Sequence, residues 1–331
     1  MVLKNNNKYL KYYTKETEKI DKKLAQLLVK RQPDSLYAPC SYILQSGGKH
    51  LRAYLVLLST KVVGGKFSQA NNAALSVEIL HNFTLVHDDI MDSAEKRRGR
   101  DTLHIKYDIS TAILAGDSLI AIAYKNLLKD CIINTTQILN TFNESVIEIC
   151  EGQSLDKDFE VRDDITIDEY KIMIYKKTSA LIQMCCSIGG QLGNGTKAEI
   201  KALENYGKNL GLAFQLKDDL LDIIGDIKDF GKNVGGDLIE GKKTFLFLKA
   251  LELATGEDKN ELLKVMANKG IKKNQINKYK KIYEKLNILK ITENEINKYT
   301  NLAIKSIKNL KDSEEKETLI WLATYLINRN K

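Results

Sequence analysis

Only two prolines, Pro33 and Pro39, occur in 331 residues. Long stretches therefore hold nothing that would break a helix. Glycine is held to twenty residues, whereas a β-sandwich or barrel draws heavily on Pro and Gly for its turns. A mostly helical protein is expected. The five cysteines, Cys40, Cys131, Cys150, Cys185 and Cys186, show no CxxC spacing and no neighbouring histidine. That argues against a thiolate metal site and leaves free thiols in a reducing cytoplasm as the default. A chain of this length buries an ample core without disulfides. No uncharged run reaches membrane-spanning length, since even 110–124 is broken by Asp117. The opening MVLKNNNKYLKYYTKE lacks the apolar segment of a signal peptide. A soluble cytoplasmic protein is expected. The charge excess is small, 51 Lys+Arg against 43 Asp+Glu, and much of it lies in 259–290. Solvated helix faces explain it better than a nucleic-acid surface, for which no aromatic-basic motif is present.

Along the chain, residues 1–32 are polar and amphipathic, with Leu24, Leu27 and Leu28 at helical spacing. A break is expected over 32–39, where both prolines lie, and a turn at Gly47-Gly48. Helix is expected from near Lys49 through Leu58, then as one long run over 68–92. RRGRD (97–101) reads as a loop, with helices following over 110–128 and 135–157. Thr166 and Glu169 form a capping box, and helix follows through Met184. Gly189–Gly195 reads as a glycine-rich break, and 197–224 as a long helix closed by Gly225. The stretch 226–241 holds four glycines, and the remainder beyond Thr244 is helical. Without a repeat or an evident linker, residues 1–331 read as a single all-α domain.

Two segments demand explanation: HDDIMD (87–92) and KDDLLD (217–222). Aspartate lowers helix propensity and resists burial, yet each segment places three within an apolar helical run. Residues four apart share a helix face about 6 Å apart along the axis. Asp88 therefore projects with Asp92, and Asp218 with Asp222. Like charges so placed repel, unless cations sit between them. The donors are all hard oxygens, which suits Mg²⁺ held by carboxylates, water and phosphate oxygens. One such triplet is as readily a charged helix face; two, each in an apolar helix, are not. Basic residues cluster beside the loops: Lys49 and Arg52, Arg97 and Arg98, Lys176 and Lys177, then Lys232, Lys242 and Lys243. Each alone reads as a surface charge. Together with the acidic segments they read as two anion sites, one served by metal and one by cationic side chains.

These residues resemble the trans-isoprenyl diphosphate synthases, or polyprenyl synthetases, over roughly 37–250. The resemblance rests on GGKHLR (47–52), DDIMD followed by RRG (88–99) with Thr102 and His104, GDSL (116–119), EGQSLD (151–156), KKTSAL (176–181), FQLKDDLLD (214–222) and GKNVGGDLIEGKKT (231–244). It implies an all-α bundle around a central cavity, a homodimer, and on the order of three Mg²⁺ ions per site. It also implies the reaction. An allylic diphosphate ionises, the double bond of isopentenyl diphosphate attacks the cation, and a proton leaves. Asp88, Asp92 and Asp218 would bind metal directly, with Asp89, Asp219 and Asp222 doing so directly or through water. Arg97, Lys177 and Lys242 would grip the allylic diphosphate. Lys49, Arg52, His81 and Arg98 would hold isopentenyl diphosphate, with His81 two turns before Asp88 on the same face. Thr178, Gln215 and the leaving diphosphate are the candidates for steering or accepting the proton. Gln153, Asp156 and Lys232 would support the site. His50 stands where the family usually has Arg, Ala53 where it has Pro, and Lys243 where Pro is common, so either Lys242 or Lys243 is the phosphate ligand.

Phe83 lies five residues before Asp88, about 7.5 Å along the axis, and Thr84 lies four before. By resemblance, an aromatic at the earlier position only, with an uninserted DDIMD, goes with a C20 product. Geranylgeranyl diphosphate is therefore expected over farnesyl diphosphate or a longer chain, with Ser118, Leu119 and Ile122 as modifiers. The intact second triplet argues against a terpene cyclase, and the retained aspartates argue against a non-catalytic regulatory subunit.

Overall fold

The computed structural model describes residues 2–225 and 235–328. Lys232 lies outside them. Among the described residues the chain is helical apart from one two-stranded ribbon, so the expected all-α class is observed. By their internal contacts the residues fall into two compact units. The first comprises Met1–Thr141, Cys185–Leu203 and Leu310–Trp321, and the second Phe142–Met184, Glu204–Asn309 and Leu322–Lys331.

In the first unit run α1 (Val2–Gln26), α2 (Asp34–Leu44), α3 (Leu51–Val62), α4 (Asn71–Met91), the strands β1 (Lys96–Arg97) and β2 (Arg100–Asp101), the short α5 (Leu103–Lys106) and α6 (Ile109–Leu127). The core of this unit is built on α4. Ala73, Val77, Leu80 and Phe83 are buried on it, and it lies along α6, α3 and α2. Asp130 caps its N-terminus by accepting from the amides of Asn72 and Ala73 at 2.6 and 2.8 Å. Each fully buried Leu, Val or Phe contributes about 1.5–3 kcal/mol, so this helix is held along its length.

Three expectations are corrected here. The segment 32–39 is not all break, because α2 already starts at Asp34 behind Pro33. Pro39 sits buried within it and forfeits only one backbone hydrogen bond. Residues 97–101 are a tight antiparallel hairpin, pairing Lys96 with Asp101 and Arg97 with Arg100. Its two turn residues, Arg98 and Gly99, both have positive φ, 53° and 75°, which matches the right-handed strand twist. The glycine-rich break comes later than 189, at 193–196 between the helices ending at Leu192 and starting at Lys197. Gly189 lies inside the first of them because any Cβ there would stand 2.4 Å from the Val56 carbonyl oxygen of α3.

The later helices are α7 (Thr135–Val161), α8 (Ile167–Ile174), α9 (Ala180–Leu192), α10 (Lys197–Ile224), α11 (Gly236–Ile239), α12 (Phe245–Leu253), α13 (Gly256–Ala267), α14 (Ile276–Lys285), α15 (Ile288–Ser306) and α16 (Glu314–Asn328). The Thr166–Glu169 capping box forms at the start of α8. The second unit has its own core, in which Leu216, Leu220, Leu246, Phe247, Tyr283 and Ile288 are buried. The Lys-rich C-terminal helices thus pack by their apolar stripe. Their lysines lie outward, several paired with Glu261, Asp258 and Glu295. No described helix is long and apolar enough to cross a membrane.

Candidate active site

In the first unit the acidic triplet closes α4. Asp92 is the C-cap, and its amide donates to the Asp88 carbonyl at 2.8 Å. The two side chains therefore share the last turn, Asp88 half-buried and Asp92 exposed. A helix C-terminus carries partial negative charge. Two carboxylates there are opposed both by the helix and by each other, and a hard cation relieves both. The donor set fits Mg²⁺. Asp89 is placed differently. It is 1% exposed and accepts from Arg97 Nε at 2.7 Å. Burial raises its carboxyl and Arg97 opposes that, so Asp89 aims the Arg97 guanidinium.

Beside the triplet the cations converge. Burial and the fields of Arg52, Arg98 and Arg97 drive the His81 imidazole well below its ordinary value. Neutral at physiological pH, it offers one donor and one acceptor. The hairpin turn is exposed, but the Arg98 guanidinium folds back against Gly48, where a Cβ would stand 3.2 Å from Nη1. It donates to Ser46 Oγ at 3.2 Å and to the Gly47 carbonyl. Like charges gathered this closely are costly unless an anion joins them. Phe83 is buried on the same helix, edge-on to His87 with centroids 4.8 Å apart. Thr84 donates to the His81 carbonyl at 2.8 Å.

In the second unit Asp218 and Asp222 lie four apart near the end of α10, with Asp219 turned inward and 6% exposed. Asp222 accepts from the amides of Gly236 and Asp237, both at 3.1 Å, which fastens the start of α11 to α10. Asp219 accepts from Tyr170 Oη and, at 2.9 Å, from Gln215 Nε2. Burial pushes its carboxyl up to about 6 despite both donors. Thr178 Oγ1 donates to Gln215 Oε1 at 2.8 Å, so Thr178, Gln215 and Asp219 form one directed chain. Lys177 Nζ reaches Asp156 at 2.5 Å, and Lys176 pairs with Glu151.

Between α8 and α9 the backbone widens into a π-turn over Tyr175–Ser179, which carries Lys177 and Thr178. Glycines flank it. A Cβ on Gly152 of α7 would stand 2.2 Å from Lys177 N, and one on Gly211 of α10 would stand 2.5 Å from Ser179 Cα. Lys242 and Lys243 are placed differently. Lys243 is 9% exposed, donates to the Phe159 carbonyl at 2.7 Å, and lies 3.8 Å from Asp163. Lys242 is half-exposed beside Glu240 and Asp237, at 2.7 and 4.0 Å.

A family model for polyprenyl synthetases matches residues 33–286. The chain belongs to the polyprenyl synthetase family. It is 40% identical over 296 residues to a geranylgeranyl diphosphate synthase of Saccharolobus solfataricus, covering 88% of this chain and 89% of that one. It is 35% identical over 316 residues to a short chain isoprenyl diphosphate synthase of Methanothermobacter thermautotrophicus, covering 95% and 97%. The crystal structure of a geranylgeranyl pyrophosphate synthetase from Pyrococcus horikoshii superposes with a TM-score of 0.91 at 34% identity, covering 97% and 99%. In this polyprenyl synthetase, sequence reasoning missed two residues beside the second triplet. Tyr170 gives no local signal. Asp237 was visible within GGDLIEGKK, a carboxylate behind a glycine pair. Burial and the nearby Asp219 and Asp222 raise it well above the ordinary range, with Lys242 opposing.

Proposed function

We propose that this prenyltransferase condenses isopentenyl diphosphate with an allylic diphosphate and releases geranylgeranyl diphosphate. The single observation that carries the reading is the pairing of an acidic helix end, Asp88 and Asp92, with the cluster Arg52, His81, Arg97 and Arg98. The names of the archaeal relatives at 38–40% identity support the C20 product. Both units serve one catalytic domain in this reading, working as a homodimer in the cytoplasm.

Asp88, Asp92 and Asp218 would hold Mg²⁺ directly, and Asp89, Asp219 and Asp222 would do so directly or through water. Bound Mg²⁺ supplies charge neutralisation to the departing diphosphate. The side chains do the rest. Arg97, Lys177 and Lys242 grip the allylic diphosphate and stabilise the charge it gains as the C–O bond breaks. Lys49, Arg52, His81 and Arg98 hold isopentenyl diphosphate so that its double bond faces the forming cation. The Thr178 hydroxyl is committed as donor to Gln215, so these two orient. The leaving diphosphate, a far better base than a hydroxyl or amide, takes the proton. Phe83 stops the growing chain.

The test incubates the purified protein with Mg²⁺, labelled isopentenyl diphosphate and C5, C10 or C15 allylic diphosphates, and reads chain length after dephosphorylation. Products ending at C20, abolished by EDTA and restored by Mg²⁺, are expected. A C15 or longer end point overturns the product assignment, and absence of elongation with every primer overturns the reaction.

A further inference from the structure

His50 departs from the usual residue of its motif, and its position in the fold gives that departure a purpose. It caps α3 in the left-handed conformation, φ +44°, with its side chain 4% exposed. Nδ1 lies 3.0 Å from Glu78 Oε2 on α4, and Nε2 lies 3.0 Å from Asp21 Oδ1 on α1. A ring with a carboxylate at each nitrogen is satisfied only as imidazolium, when both nitrogens donate. Glu78 spends its other oxygen on the Ala53 amide at 3.1 Å. One buried cation thus ties α1 to α4 at the start of α3, between Lys49 of the preceding loop and Arg52 of the first helical turn. From the other side of Lys49, α1 adds a second hold. Tyr13 donates to the Lys49 carbonyl and stands edge-on to Tyr54 with centroids 5.0 Å apart.

We propose that His50 is a positioning residue for the isopentenyl diphosphate site: as imidazolium it clasps α1 over the start of α3 and fixes Lys49 and Arg52. This rests on the function proposed above. The groups facing the clasp are Asp21 from α1, Arg52 from α3, Glu78 and His81 from α4, Arg98 from the hairpin and Cys185 from α9. Burial lowers the imidazole, but Glu78 and Asp21 outweigh it, so His50 is raised above its ordinary value. Glu78 is correspondingly lowered, against its burial. A raised base keeps its interaction fully below the unfolded value and loses it as pH climbs through the folded one. The clasp is therefore complete below the ordinary imidazole value and opens as pH rises through the raised one.

The experiment compares full-length wild type, His50→Arg, His50→Asn and Asp21→Asn from about pH 6.5 to about pH 9. Each diphosphate is varied while the other saturates, and hydrogen exchange of α1 is measured in parallel. Asparagine tolerates the left-handed backbone, so His50→Asn removes the charge and both ring contacts without straining the chain. Wild type is expected to raise KM for isopentenyl diphosphate about five- to tenfold toward the alkaline end. His50→Arg, fixed in charge, keeps a low and flat KM. His50→Asn shows the high KM at every pH and faster exchange in α1, with kcat and the allylic KM within about twofold of wild type. Asp21→Asn, which leaves the buried arm intact, shows a smaller rise and carries the test if His50→Asn does not fold. A His50→Asn profile that still follows wild type overturns the clasp. So does an equal loss in both substrates. Wild type that elongates nothing overturns the reaction instead, and unchanged α1 exchange in His50→Asn then overturns the clasp independently.

Discussion

Gly152→Ala tests whether the close packing of α7 on the π-turn sets the position of Lys177. The added methyl would stand 2.2 Å from Lys177 N, 2.6 Å from Lys176 C and 2.6 Å from Lys177 Cα. All three neighbours are backbone, so no side chain can swing away. Ordinary contact begins near 3.4 Å, so the two elements must part by about 1 Å. Overpacking of this kind costs about 1–3 kcal/mol, which lowers Tm by a few degrees in a chain of this size. The kinetic effect is larger. Lys177 would leave Asp156, and a displacement of about 1 Å at a positioning group costs on the order of a hundredfold in rate. The assay pairs thermal denaturation with kcat/KM measured separately for the allylic and isopentenyl diphosphates. The loss is expected in kcat and in the allylic parameters. Wild-type Tm together with wild-type allylic kinetics would refute the packing argument.

Other substitutions separate residues that the sequence left ambiguous. Lys242→Ala is expected to lower allylic kcat/KM about ten- to a hundredfold, whereas Lys243→Met, which removes a buried amine held by the Phe159 carbonyl, should shift Tm and leave steady-state kinetics nearly unchanged; equal kinetic loss in both would restore the ambiguity. Phe83→Ala removes a buried ring from α4 at about 3–5 kcal/mol of stability and should lengthen the product beyond C20 in the chain-length assay. An unchanged C20 end point would remove Phe83 as the floor.

What the sequence disclosed was local. The spacing of Asp88 and Asp92, the Thr166–Glu169 box and the long run 197–224 closed by Gly225 are each decided within a few residues by helical period and capping. The structure reproduces each of them. The hairpin at 96–101 escaped because two-residue strands have no period to detect. The helix through Gly189 escaped because those glycines answer to the backbone of α3, distant in sequence. The same reason hides Tyr170, whose partner Asp219 lies 49 residues on, and the turn of Asp89 toward Arg97, which needs the hairpin to exist. The difference in burial between Lys242 and Lys243 was equally hidden, because adjacent identical side chains do not reveal it.

The left-handed turn at Arg98 carries a thermodynamic consequence. A non-glycine residue there strains the folded chain by about 1–2 kcal/mol, and that cost is met once, when the protein folds. A guanidinium on a loose loop would surrender about 0.5–1.5 kcal/mol each time it was immobilised on a ligand. In the reading proposed above, where Arg98 holds isopentenyl diphosphate, the hairpin moves that expense from the binding equilibrium to the folding equilibrium. In that reading stability and substrate affinity are coupled with opposite sign at one residue, so selection for a tougher enzyme and for a tighter one pull this turn in different directions.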